Sequence, residues 1–155
     1  MSDKQTSLPK LFNPTAAVVL SLVFTPMFGA FLHGLNWREL GDDESAARSM
    51  GWVRGTFIAF VLYLVVDPFL QSMAFARYLM MAMLVGFWFS WALSLGFRQV
   101  RFVREFVKDN YEPQRLGKAI MLGAFGWVAF SALAFTIMLF LHVTGLDPIA
   151  MPPAS

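Results

Sequence analysis

Few side chains in this 155-residue chain have the chemistry for a site: His33 and His142, an aspartate before proline in "VVDPFL" (Asp67) and another in "GLDPIA" (Asp147), and the acidic run "GDDES" at 41–45. Ionisable groups inside an apolar interior would signal a proton path or a carrier, because they are costly there and usually functional. His33 and His142 fall near opposite ends of two different apolar stretches, so they share neither a metal nor a proton, and each is expected to bond a neighbouring helix or water. In both Asp-Pro pairs the proline is expected to stop a helix and leave the aspartate at its end. The "DDE" carboxylates lack the turn-forming spacing of a calcium loop. No nucleophile has a base within plausible reach and no carboxylate pair shares a face. There is no cysteine, which removes disulfides, thiolate metal sites and thiol nucleophiles. The expectation is no enzyme, no cofactor and no metal.

The elements that carry these residues are apolar. Hydrophobic residues make up 57% of the chain, too many for an ordinary soluble domain. Charges cluster at 38–54 and 98–118 and leave long uncharged runs between them. About 20 apolar residues cross ~30 Å of hydrocarbon. The runs predict four transmembrane helices at about 15–36, 48–66, 76–97 and 119–142. The fold class expected is all-α, an integral membrane four-helix bundle over 15–146. A polar segment, 1–14, would precede it and a short tail, 147–155, would follow. The first segment shows no cleavable leader pattern, so the first span is expected to stay. In "FTPMFGAFLHG" Pro26 is expected to free a carbonyl and bend that span, with Thr25 able to satisfy it and Gly29, Ala30 and Gly34 allowing close packing.

With four spans, the connections 38–54 and 98–118 share one face and carry nine Lys and Arg residues, against Lys4, Lys10 and Arg77 on the other. The positive-inside rule then makes both connections cytoplasmic and both termini periplasmic, in a bacterial inner membrane. In "RQVRFVREFVKDN" apolar residues interleave with charges at helical spacing, so helix 3 should run on into the cytoplasm to about Asp109. Asp43 or Ser45 is expected to cap the helix after the first connection.

Small residues recur every fourth position: Ala82, Gly86, Ser90 and Ser94 in the third span, Ala30 and Gly34 in the first, Gly51 and Gly55 in the second, Ala119 and Gly123 in the fourth. Such ridges let helix backbones approach closely. With Trp88 and Trp91 of "FWFSW" and the basic Arg101 and Arg104, the ridge Gly86, Ser90, Ser94 is the expected partner-binding surface. Trp37, Trp52 and Trp127 read as interfacial belt residues. The partners expected are lipid and another protein; nucleic acid is not.

The stretch "LFNPTAAVVLSLVFTPMFGAFLHGLNWRELG", followed downstream by "YEPQRLGKAIMLGAFGW", resembles a family of small bacterial four-span membrane proteins that look like immunity partners of type VI or polymorphic secretion toxins. The likeness covers the first ~45 residues and 111–127. It implies an inner-membrane protein that binds and neutralises a membrane-active, pore-forming toxin, and it carries over no catalytic residue. A channel or transporter subunit and a scaffold subunit of a membrane complex are the alternatives.

Overall fold

A computed structural model describes residues 8–70, 73 and 75–146. Asp147, the tail 147–155 and residues 1–7 lie outside the described residues. Among the described residues the regular structure is helical, apart from one clip of two short strands, β1 (Lys10–Leu11) and β2 (Glu112–Pro113). The helices are α1 (Pro14–Val23), α2 (Pro26–Glu39), α3 (Asp43–Leu70), α4 (Ala76–Trp91), α5 (Phe97–Phe102) and α6 (Leu116–Val143). Two π-turn segments, Ala92–Gly96 and Val103–Val107, join and extend α4 and α5, so that Tyr78–Val107 is a single helical rod.

Among the described residues three helices are long and apolar enough to cross a membrane: Asp43–Leu70, Tyr78–Val107 and Leu116–Val143. Their outward faces carry large apolar side chains in series. On α6 alone Met121, Phe125, Val128, Phe135 and Val143 are exposed. A soluble monomer does not present contiguous apolar surface on this scale, so these faces require an apolar surrounding.

The segment expected to be the first span is divided. Asn13 caps α1, its Oδ1 accepting from the backbone N–H of Thr15 and Ala16 at 3.0 and 3.1 Å, and Pro14 opens the helix. Twelve residues later the same device recurs: Thr25 Oγ1 accepts from Phe28 N–H at 3.2 Å and Pro26 opens α2. Both prolines occupy the first helical position, where a missing N–H costs nothing and the fixed φ suits a helix start. Pro26 therefore begins a helix instead of kinking one, and Thr25 caps a turn instead of rescuing a carbonyl. Thr25 is extended, and the chain reverses there. Gly29 returns beside Ser21, His33 beside Pro14 and Asn36 beside Phe12. Residues 12–36 thus form an antiparallel helical hairpin with both ends together, which excludes one continuous helix over 15–36.

The clip confirms which end. β1 pairs in parallel with β2, Lys10 opposite Glu112, and their side chains form an ion pair at 3.7 Å. Gln114 adds a bond from its Nε2 to the Lys10 carbonyl at 3.0 Å. Residues 8–14 accordingly sit at the same end of the molecule as the 98–118 connection, where four spans would have placed them at opposite ends. Leu11 and Phe12, within the segment expected to be polar, are core residues.

Smaller differences have local causes. α3 starts earlier than expected because Asp42, not Asp43 or Ser45, caps it, accepting from Ser45 N–H at 2.9 Å. That bond, and then the Ser45 hydroxyl, hold the Asp42 carboxyl below the usual carboxylate range, with Arg98 and Arg48 adding to the effect. Pro68 lies inside the last turn of α3 instead of ending it at Asp67, and the Tyr63 hydroxyl donates to Asp67. The rod ends at Val107, two residues short of Asp109, where Lys108 turns to positive φ and its N–H closes on Val103 O at 2.7 Å.

Candidate functional site: an apolar cavity at the tip of the hairpin

The hairpin is held by polar groups at its open end and by aromatic rings along its length. Asn36, fully buried, accepts from Phe12 N–H and donates to Phe12 O, both at 2.8 Å, and donates to Gln99 Oε1 at 3.1 Å. Gln99 in turn donates to the His33 carbonyl at 2.9 Å. The α5 part of the rod is therefore bonded along the hairpin, and Trp37 packs on Phe102 with ring centroids 5.0 Å apart. The His33 ring lies 3.3 Å by Nε2 from Pro14 O and packs edge-on to Trp91 at 5.2 Å. The ring thus bonds a neighbouring helix, as expected, through Nε2, while its buried Nδ1 has no hydrogen-bond partner among the described residues. His142, on the last turn of α6, is 26 residues along that helix from its clip-end start, roughly 40 Å away at ~1.5 Å per residue.

The expected partner-binding residues separate into two groups. Trp91 is fully buried and wedged into the hairpin, so close to Gly29 that a Cβ there would fall 2.5 Å from its ring. It is a core residue and cannot meet a partner. Trp88 is partly buried and donates from Nε1 to Ser21 Oγ at 2.8 Å. Gly86, Ser90 and Ser94 are exposed, as are Arg101 and Arg104 on the rod's outer face. All seven lie on the rod, but the two tryptophans turn toward the fold while the two arginines and the Gly86 ridge are exposed.

The small-residue spacings separate too. Gly34 receives Met50 of α3, and Ala30 is buried. On α6, Gly123 receives the ring of Phe24 and Ala119 is buried. One helical turn beyond, Trp127 Nε1 donates to the Phe24 carbonyl at 3.2 Å, so Trp127 stitches the hairpin turn to α6. Added Cβ atoms at Gly51, Gly55 and Gly86 would meet nothing within 4 Å. Two faces are thus filled by the fold and two are left open.

At the hairpin tip a cavity of about 1000 Å³ opens between Phe24–Phe28, α3 at Phe60, α4 from Met80 to Phe89, and α6 from Leu122 to Ser131. Its lining is predominantly apolar. Polar groups of its lining bond within the fold: Ser21 donates to Val18 O and accepts from Trp88, Thr25 accepts from Phe28, and Trp127 donates to Phe24. Such a cavity recognises an apolar ligand by shape and has little with which to orient a polar one. Among the described residues no group of three or more His, Asp or Glu side chains is placed to hold a metal ion. Sequence reasoning missed this cavity because it exists only where the hairpin stops short of the length of its neighbours. The repeated cap-proline pair, Asn13-Pro14 and Thr25-Pro26, was the available signal.

Fold and cavity together define a class: a helical protein with three helices able to cross a membrane and a helical hairpin packed among them. Comparison with protein-family models, curated proteins and solved structures gives no match for this chain.

Proposed function

We propose that this is an integral membrane protein of three crossings plus a re-entrant hairpin. It works by binding and not by catalysis, and its role is immunity against a membrane-active toxin. Ten residues of α1 at ~1.5 Å each reach about 15 Å, half of a ~30 Å hydrocarbon core, so the hairpin fills one leaflet and its tip lies near the midplane. Lys10 then joins Arg38, Arg98, Arg101, Arg104, Lys108, Arg115 and Lys118 on a single side, which the positive-inside rule makes cytoplasmic. Residues 8–14 move to the cytoplasmic side, and the end of α6 lies across the membrane.

The observation that carries the reading is the cavity of about 1000 Å³ beneath the tip. It is apolar, bordered by membrane-facing helices, and roofed by a turn bonded to α6. A pore-forming protein must place apolar helices in the bilayer, and sequestering one such helix blocks assembly. Among the buried polar groups, Ser21, Asn36 and Gln99 tie the hairpin to the rod, which supports a structural use of the interior over conduction. The test is co-expression with the product of the neighbouring gene, read as growth and membrane potential. Protection by the wild type, and its loss in Gly126→Trp, is the expected result, because Gly126 lines the cavity and has open space for a larger side chain. A harmless neighbour, or full protection by Gly126→Trp, sinks the proposal.

A further inference from the structure

α4 and α6 both back onto α3. Phe60, buried on α3, packs edge-on between them, its ring centroid 6.0 Å from Phe87 and 6.2 Å from Phe130. On the clip side of the turn the hairpin fills the space in front: Trp88 bonds Ser21, Gly123 receives Phe24, and Trp127 bonds the Phe24 carbonyl. Past the turn the walls continue. From Trp88 back to Ala76 is twelve residues of α4, ~18 Å, and from Trp127 on to Val143 is sixteen of α6, ~24 Å. The cavity lies at the start of that continuation, where Met81 and Val85 of α4 and Phe125 of α6 stay exposed.

What fits there follows from what the walls already hold. They carry a pair of helices on one side of the turn, so they stand apart by the width of helices where they go on. No Asp, Glu, Lys or Arg occurs from Tyr78 to Phe97 or from Ala119 to Leu146, so a charged insert would find no countercharge on them. A polypeptide entering an apolar layer must satisfy its own backbone, which makes the insert helical. Its depth is limited, because the turn at Thr25 is the floor and is bonded to α6. The shorter wall allows about twelve residues, ~18 Å, whereas a crossing takes ~20 residues.

We propose that the partner segment seated in the cavity is one uncharged apolar helix end, inserted from the face opposite the clip and stopped at the turn. This rests on the immunity reading and adds the stage at which it acts: the toxin is held half-inserted, before any helix of it crosses. The test places a benzophenone amino acid at Met81, past the turn, or at Val19, on the outward face of α1 before it. Each full-length variant is co-expressed with the product of the neighbouring gene. Both positions are exposed, at 63% and 56%, so neither probe enters the core. Irradiation should give an adduct with that product from Met81 and none from Val19. In parallel, Val85→Lys should lose protection while still fractionating with membranes, and Val19→Lys should keep it. Adducts from both positions would mean a helix lying along the whole face, and overturn the proposal. An adduct from Met81 with lipid or a second copy alone, or full protection by Val85→Lys, overturns it too. Each of those leaves immunity standing, whereas a wild type that gives no protection sinks both.

Discussion

Asn36 bonds the backbone of Phe12 in both directions, accepting from its N–H and donating to its carbonyl, each at 2.8 Å, across 24 residues of chain. The side-chain amide does for Phe12 what a neighbouring strand would do, and both groups are buried. This pair closes the open end of the hairpin. Asn36→Leu would leave one donor, Phe12 N–H, and two acceptors, Phe12 O and Gln99 Oε1, unpaired, at about 1–3 kcal/mol each. Unfolding of the purified protein in mixed micelles should show a loss of that size, and protease cleavage near residue 12 should accelerate. A variant as stable as wild type would mean that the hairpin closes without this pair.

The two classes of glycine behave oppositely. A Cβ on Gly29 would fall 2.5 Å from the Trp91 ring and 2.6 Å from Ser21 Cβ, both held in the core. Gly29→Ala should destabilise by about 1–3 kcal/mol, the usual cost of overpacking. Gly86→Ala meets nothing within 4 Å and should be neutral or stabilise by about 0.5–1 kcal/mol, through helix propensity alone. Parallel denaturation curves decide it. Equal effects at the two sites would contradict the placement of Trp91 against the hairpin.

Three crossings and four crossings differ in which ends share a side. The chain has no cysteine, so single cysteines can be introduced against a blank background. Lys10→Cys and Asp109→Cys should be labelled by an impermeant maleimide from one face of oriented vesicles, and Gly145→Cys from the other. Labelling of positions 10 and 145 from the same face would restore an even number of crossings.

Asp42 caps α3 as a carboxylate. Its folded pKa lies below the ordinary value, so its stabilisation is fully present above the unfolded carboxylate range and is lost as the pH falls through that range and below. Asp42→Ala should cost about 1 kcal/mol at neutral pH. Asp42→Asn keeps an acceptor for Ser45 N–H, so it should hold most of the neutral-pH stability while flattening the acid limb. Thermal melts at pH 7 and pH 3 measure both.

Sequence alone determined the class of environment and the helices that answer to it. Apolar runs, the second of them long enough only when extended past Arg54, became α3, the rod and α6 because the physics of a lipid surrounding is one-dimensional: length and hydropathy decide it. The rod's run to Val107 was legible for the same reason, from apolar residues interleaved with charge. Residues 15–36 satisfied the same criterion and still folded otherwise. Their length suffices for a crossing, but two cap-proline starts cut it, and neither cap states whether the second helix continues or turns back. Tertiary contacts decided that. Trp91 wedges against Gly29, Gln99 reaches Asn36 and His33 from 63 and 66 residues away, and the Phe24 carbonyl finds Trp127. These partners are distant in sequence and become visible only once the chain is folded. The cavity follows from the hairpin being shorter than the helices around it, a difference in length that no single stretch of residues contains.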